Sequence, residues 1–377
     1  MSLKDSFWKS RGNVIHILTS LDFGGVERHM EIVATEQASA TMVHHFVAIG
    51  SGGAAERTLS NIGVPVECLG QQTAIPNWGA VNTLQKLLRK IQPAVVHTHG
   101  AEANFHGLIA AWLVGVPVRI GEEIGIPRHG SRARIAFRQV YRAAHRVIGI
   151  SDAVTRWLVE SGEVPANKAM RVYNPVRLAD GIARGEQAKV RLRIGFVGRL
   201  EPVKNPLGLV QAVRLAINEG APVELWLIGD GSERKTIEAY IKAHGLSEFV
   251  RLLGFQSDPS QALRSCDLYV QPSISEGFGL ALVEAMGLGL PVIATAVGGA
   301  PEFIEHGRTG WLLSDSTAEA VAKAIGVVAQ MEPTVRIAVG RAAAEAVRDR
   351  FEPGAYLREI ELLYREALGE RYRNVFL

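Results

Sequence analysis

The stretch Ser273-Ile274-Ser275-Glu276-Gly277-Phe278-Gly279-Leu280-Ala281-Leu282-Val283-Glu284 sets two carboxylates around a pair of glycines. Gly277 and Gly279 permit a tight turn and close backbone approach. The apolar period that begins near Gly279 or Leu280 predicts a helix, whose free N–H groups and dipole would receive an anion. Ionised carboxylates only accept hydrogen bonds. Glu276 in the loop and Glu284 in the second helical turn therefore suit a ligand rich in hydroxyls, such as a sugar. A second constellation, Arg199 and Lys204, follows the apolar run Ile194 to Gly198. Two fixed cations near a helix N-terminus can bind and neutralise a diphosphate. Taken alone, the first stretch also fits a glycine-rich turn with two solvated acids, and the second an ordinary charged loop. The chain has no Asp-x-Asp pair and no compact run of carboxylates and histidines for a divalent ion, so no metal site is expected.

These residues need elements to hold them. Short apolar runs alternate with longer segments of helical period. Val14 to Leu18, Phe46 to Ile49, Val64 to Val66 and Ala94 to His97 are strand candidates in the first half. Helical stretches run through Val26, Met30 and Val33 and from about Val81 to Ile91. Around Tyr173-Asn174-Pro175 and Asp180 to Lys189 the periodicity lapses, as in a linker. A second series then opens, with candidates Ile194 to Gly198, Glu224 to Ile228, Val250 to Leu253, Asp267 to Val270 and Pro291 to Ala294. Runs that are apolar throughout fit strands buried on both faces of a parallel sheet. The expected class is α/β, with two doubly wound halves joined by a linker. In such sheets ligands sit at the carboxyl ends of the strands, which is where both constellations fall.

Composition sets the outer bounds. At 377 residues the chain suits two domains, and with 47% hydrophobic and 21% charged residues it has material for packed cores. Cys68 and Cys266 stand far apart, which excludes a disulfide scaffold or a structural zinc site. The N-terminal residues carry charge where a signal peptide needs an apolar core. The longest apolar region, Gly279 to Ala300, is broken by Glu284 and Pro291 and is too interrupted to span a bilayer. A cytoplasmic protein is expected. The net charge of +3 points to no nucleic-acid partner. It is unevenly spread, with 18 Lys+Arg against 13 Asp+Glu in residues 1–175. Arg128, Arg132, Arg134, Arg138, Arg142 and Arg146 come with no acid among them, and the last four, spaced by four, would form one stripe on a helix. The stripe is either a solvated face or a surface for anionic headgroups or a phosphate-bearing acceptor.

Together these stretches resemble the retaining, nucleotide-sugar-dependent glycosyltransferases of family 4. The resemblance runs through Gly24-Gly25-Val26-Glu27-Arg28, Val95-Val96-His97-Thr98-His99-Gly100 and Phe196-Val197-Gly198-Arg199-Leu200. It continues in Lys204-Asn205-Pro206, Ile228-Gly229-Asp230-Gly231, the Glu276-to-Glu284 segment and Gly298-Gly299-Ala300-Pro301-Glu302. It implies a GT-B fold, two Rossmann-like doubly wound domains facing across a cleft. The N-terminal acceptor domain would be residues 1–175 and the donor domain 176–355, with a helix over about 356–377 returning to the first. Arg199 and Lys204 match the pair that holds the donor diphosphate. Glu276 matches the acid that hydrogen-bonds the transferred sugar, beside the N–H groups of Gly277, Phe278, Gly279 and Leu280. Glu284 matches the acid on the ribose hydroxyls, and Leu253 and Gly254 fall near the base. Gly198 and Gly229 lie in the donor loops, and Gly24 and Gly25 match the loop that closes over the phosphates.

The resemblance further implies a UDP-linked sugar as co-substrate, with no essential metal or other cofactor. The acceptor would be a sugar, a lipid-linked or a phosphate-bearing molecule of envelope polysaccharide synthesis. Arg128, Arg134, Arg138 and Arg142 would face it or an anionic membrane surface. The chain departs from the family where a histidine often stands in a Thr-Glu-His-Gly context. Here the stretch is Gly121-Glu122-Glu123-Ile124-Gly125, and His99 becomes the candidate to contact sugar or acceptor. Two other readings remain at this point. One is a catalytically silent nucleotide-sugar binder. The other is a nicotinamide-dependent oxidoreductase, suggested by Gly50-Ser51-Gly52-Gly53-Ala54-Ala55, which satisfies G-x-G-x-x-A.

Overall fold

The computed structural model describes residues 12–22, 24–127, 129–178 and 191–375. Two compact units form, one of Met1–Pro175 with Phe351–Leu377, the other of Val176–Arg350.

The first unit holds a seven-stranded parallel sheet of β1 (Asn13–Leu18), β2 (Val43–Ala48), β3 (Val66–Cys68), β4 (Val95–His99), β5 (Val118–Glu123), β6 (Arg146–Gly149) and β7 (Ala169–Arg171). Their order is β3-β2-β1-β4-β5-β6-β7. The second holds β8 (Leu192–Val197), β9 (Val223–Ile228), β10 (Val250–Gly254), β11 (Leu268–Gln271), β12 (Val292–Thr295) and β13 (Trp311–Leu313), in the order β10-β9-β8-β11-β12-β13. Both repeat the doubly wound pattern in which the sheet grows one way from its first strand and then the other. The switch points lie between β1 and β4 and between β8 and β11, and a ligand crevice opens at the carboxyl ends there. The expected strands form, and the structure adds four that the reading of the sequence did not include, β5 and the shorter β6, β7 and β13.

Period-two alternation divides each strand between two cores. In the first unit Ile15, Ile17, Val47 and Val96 pack with Val81, Leu84 and Leu88 of the helix Trp78–Ile91. Asn77 caps that helix, its Oδ1 accepting from Gly79 N at 3.0 Å and Ala80 N at 3.2 Å. On the opposite face Val14, Leu18, Phe46, Val95, Val118 and Ile120 pack under the last helix, Pro353–Val375, through Tyr356, Leu357, Ile360, Leu363 and Tyr364. Each such aliphatic side chain contributes about 1.5–3 kcal/mol on full burial, which seats the helix. In the second unit Ile194, Phe196, Leu225, Leu227, Val270 and Ile293 form the core with the helices Pro206–Asn218 and Ala318–Gln330.

The arginine stripe is shorter than expected. The helix Ser131–Arg142 carries Arg134, Arg138 and Arg142 on its exposed side, with Phe137, Val140 and Tyr141 buried beneath. Arg146 opens β6 instead, because the helix stops at Arg142 and the strand pairing with β5 begins at Arg146. Arg128 and the candidate linker residues Asp180 to Lys189 lie outside the described residues.

Candidate active site

Beside the switch point of the second unit, the ends of β8, β9 and β10 are laced together through glycines. Gly198 N–H donates to Ile228 O at 3.1 Å, Gly229 N–H to Gly254 O at 2.8 Å, and Leu200 N–H to Asp230 O at 2.9 Å. Gly229 has φ +146°, and a Cβ there would lie 1.9 Å from Gly198 O, so only glycine lets the two loops approach. Arg199 emerges from this junction exposed to solvent. Leu253 and Gly254 end the neighbouring β10 half-buried.

The loop after β11 meets the loop after β8. Ile274 N–H donates to Val203 O at 2.8 Å, and Lys204 Nζ reaches Glu276 Oε2 at 2.5 Å. Ser273 Oγ donates to the same carboxylate oxygen at 3.4 Å, and Thr295 Oγ1 holds Ser273 O at 2.6 Å. The glycine pair Gly298-Gly299 supports the loop from below. Gly298 has φ +56°, and a Cβ would stand 2.1 Å from Glu276 O; Gly299 N–H donates to Gly277 O at 3.1 Å. Gly279, at φ +100°, turns the chain into the helix Leu280–Gly287, whose N-terminus no side chain caps. Its first N–H groups are therefore not claimed by a side chain, the state an anion requires.

One residue that sequence reasoning missed lies beneath. Tyr269, buried on β11, donates to Gln271 Oε1 at 3.1 Å. Burial pushes its hydroxyl well above the usual range, and the negative fields of Glu276 and Glu284 add to the shift. The two carboxylates, eight residues apart, thus lie within electrostatic reach of one buried hydroxyl. Alternation along β11 was the available signal, since Tyr269 and Gln271 share a face.

In the first unit the loop after β1 brings Gly24, extended at φ 162°, to the start of the helix Gly25–Thr35. Glu27 folds back, accepting from Ser20 Oγ at 3.3 Å, and its Oε2 would be 2.5 Å from a Cβ on Gly24. His99 ends β4 but is 1% exposed, with Nε2 2.9 Å from His16 Nδ1 and Nδ1 3.0 Å from Glu122 Oε1. Ile124 follows β5 against Gly100 and is 36% exposed. Burial pushes the Glu123 carboxyl up to about 7, even though Tyr141 Oη and Asn104 Nδ2, the latter at 3.1 Å, donate to it.

Among the described residues one group, His16, His97 and His99, offers ring nitrogens within 4.8 Å of one another. Two imidazoles on one zinc ion hold their nitrogens roughly 3.3 Å apart, from Zn–N bonds of about 2.0–2.1 Å at tetrahedral angles. Here both nitrogens of His16 lie closer than that, at 2.9 and 2.8 Å, to the rings of His99 and His44. These are hydrogen bonds, and the trio is not a ligand set. The glycines Gly50 to Gly53 likewise fail as a dinucleotide loop. They follow β2 rather than a switch point, and Glu56 Oε2 would lie 1.7 Å from a Cβ on Gly52, which puts a carboxylate where a pyrophosphate would have to sit. Neither cysteine is in a disulfide.

The two halves are each Rossmann-like, and together they make a GT-B fold. Residues 23–180 match the glycosyltransferase family 4 model and residues 183–343 the model for glycosyl transferases group 1. The chain belongs with the family 4-type glycosyltransferases, which removes the oxidoreductase reading. It is 33% identical over 50% of its length, and 48% of the relative's, to the N-acetyl-alpha-D-glucosaminyl L-malate synthase of Bacillus anthracis. It is 29% identical over 61% of its length, and 65% of the relative's, to the UDP-Gal:alpha-D-GlcNAc-diphosphoundecaprenol alpha-1,3-galactosyltransferase of Escherichia coli. The matched region thus spans about half to two thirds of these relatives. In fold it is similar to Anabaena HepE, solved with UDP-glucose, with a TM-score of 0.81 at 22% identity over 94% of this chain and 100% of that one. Among the described residues no helix is long and apolar enough to cross a membrane.

Proposed function

We propose that the protein is a retaining hexosyltransferase that moves a sugar from a UDP-linked donor to an acceptor hydroxyl in lipid-linked or envelope polysaccharide synthesis. The observation that carries this reading is the meeting of Lys204 and Glu276, 2.5 Å apart, in the loop that leads into the uncapped helix Leu280–Gly287. A cation, a carboxylate and open N–H groups complement a ligand that is anionic at one end and hydroxylated at the other. On this reading Arg199 and Lys204 hold the diphosphate, with the N–H groups of Phe278, Gly279 and Leu280. Glu276 accepts from the transferred sugar and Glu284 from the ribose. Leu253 and Gly254 lie along the base, and Gly198 and Gly229 allow close backbone approach. His99, with both ring nitrogens engaged, would position the end of β4 on the acceptor side rather than touch the substrate.

The bond from the anomeric carbon to the phosphate oxygen breaks as the bond to the acceptor oxygen forms on the same face. The departing phosphate takes the acceptor's proton, so no separate general base is required. The negative charge that develops on it is met by Arg199, Lys204 and the helix N-terminus without a metal. UDP as the nucleotide is supported by the names of the Escherichia coli relative and of the HepE complex. A lipid-linked acceptor is supported by that relative's name and by the exposed Arg134, Arg138 and Arg142, which suit an anionic membrane surface or a phosphate-bearing acceptor.

The test is a thermal-shift screen of nucleotides and nucleotide sugars in EDTA, followed by NMR of the product's anomeric centre. A ligand at about 100 times its Kd stabilises by about 2.7 kcal/mol, so a UDP-sugar should raise the melting temperature clearly. The product should keep the donor's anomeric configuration. An inverted product, or turnover that returns only with a divalent ion, would refute the mechanism.

A further inference from the structure

Under the last helix of the first unit lies a buried polar chain. Alternation places Val14, His16 and Leu18 of β1 on one face, with His44 and Phe46 of β2, His97 and His99 of β4, and Glu122 of β5. All of these side chains are buried. Four contacts run in series across the four strands and up to the helix. Glu122 Oε1 is 3.0 Å from His99 Nδ1, His99 Nε2 is 2.9 Å from His16 Nδ1, His16 Nε2 is 2.8 Å from His44 Nδ1, and His44 Nε2 is 3.4 Å from Glu361 Oε1.

Each of the four links joins two atoms that both carry lone pairs, so each needs one proton between them. Three neutral imidazoles own three N–H protons, one each. If every ring donates toward Glu361, the lone pair of His99 Nδ1 faces the Glu122 carboxylate. If every ring donates toward Glu122, the lone pair of His44 Nε2 faces Glu361. Mixed orientations set two imidazole lone pairs, or two N–H groups, against each other at 2.8 or 2.9 Å. Every arrangement of neutral rings leaves at least one link repulsive, inside a buried site. The cost of an unsatisfied buried polar pair is high there.

We infer that the chain Glu122–His99–His16–His44–Glu361 is a buried proton-binding site, holding one proton more than three neutral imidazoles carry, shared between two fixed carboxylates.

The surroundings leave a histidine as the only place for that proton. Burial pushes the Glu122 carboxyl up, but the facing His99 and His97 outweigh it and hold it well below the usual carboxylate range. Burial likewise raises Glu361, yet His44, Thr41 and the backbone N–H groups of Met42 and Thr41 bring it down to about 2. Both ends of the chain are therefore ionised. The groups that flank it neither take nor supply the proton. Burial lowers His97 to about 4 and His29, from the helix Gly25–Thr35, to about 3, so both are neutral. Burial raises the Tyr356 and Tyr364 hydroxyls of the last helix well above their usual range, and Tyr364 Oη sits 2.7 Å from His97 Nδ1. Burial and the surrounding rings also lower His16 well below the ordinary histidine value, so the middle ring resists the charge. An imidazolium beside Glu122 would put a fixed positive charge at the carboxyl end of β4, and the same chain fastens the last helix to the sheet through Glu361. This inference does not depend on the transferase reading.

Glu122→Gln is the discriminating variant. Its amide N–H can donate to His99 Nδ1, and all three rings can then donate toward Glu361 from Nε2, so every link is made with neutral imidazoles. The amide oxygen would face His97 Nε2 as Glu122 Oε2 does now, at 3.4 Å. The experiment is NMR of the full chain with 15N-histidine at pH 7, with couplings across the N–H···N bonds marking the three rings. The wild-type protein should show one ring's worth of imidazolium among them, and E122Q three neutral rings protonated at Nε2. Three neutral rings in the wild-type protein, an imidazolium that persists in E122Q, or ring signals that move on adding EDTA would each overturn the inference. The wild-type spectrum alone decides it if E122Q does not fold.

Discussion

Glu361 is where the last helix is fastened to the first unit, and its removal can be worked through in energy. Its carboxylate accepts from Thr41 N at 3.0 and 3.1 Å, from Met42 N at 2.9 Å, from Thr41 Oγ1, and lies 3.4 Å from His44 Nε2. Burial would raise its pKa, but these donors bring it from the ordinary 4.5 down to about 2. A tenfold change in proton affinity is worth about 1.4 kcal/mol, so the ionised form contributes about 3 kcal/mol to folding. The pKa is depressed in the folded state, so this contribution is complete above about pH 4.5 and disappears as the pH falls toward about 2. Glu361→Gln keeps the shape but cannot ionise. At pH 6 it should cost about 2–3 kcal/mol, in the range for hydrogen bonds to a charged group. The gap to the wild-type protein should close as both are taken to low pH. Urea unfolding at several pH values measures the gap, and amide exchange at Thr41 and Met42 reports the contact itself. A gap of the same size from about pH 6 to about pH 2.5, with unchanged exchange at those two amides, would refute the reasoning.

Three further outcomes follow from the second unit. Glu276→Ala should abolish transfer with little change in melting temperature, since the residue sits in a loop; unchanged turnover in a coupled UDP-release assay would sink its assignment. Arg199→Ala and Lys204→Ala should each weaken UDP binding by about 1.5–3 kcal/mol, roughly tenfold to a hundredfold, and calorimetry at wild-type affinity for both would put the diphosphate elsewhere. Gly298→Ala meets a left-handed backbone and a Cβ 2.1 Å from Glu276 O, so it should lower the melting temperature and remove donor binding together. A normal melt with normal binding would mean that Gly298 does not support the Glu276 loop.

Much of this molecule is legible along the chain because its strands are buried on both faces and therefore read as unbroken apolar runs. The glycine-rich turns are legible too, since the φ of +100° at Gly279 and the close approach at Gly229 demand that residue type locally. Arg146 shows the limit. Its spacing of four from Arg142 continues a helical stripe, but pairing with β5 draws it into a strand, and no local signal reports that pairing. The His-x-His spacing of His97 and His99 marks two rings on one face of a strand, yet gives no hint that His16, His44 and Glu361 join them.

What the sequence determined by itself was the set of parts: two series of parallel strands, the residue types at each strand's carboxyl end, and the positions where only glycine serves. These depend on interactions within a few residues, which periodicity and backbone conformation express directly. What only the tertiary structure decided was which parts meet. Lys204 and Glu276 are 72 residues apart and His44 and Glu361 are 317 apart, and their contacts depend on strand order and helix docking. Those in turn follow from how whole apolar faces are buried, a property that no single stretch of the chain carries.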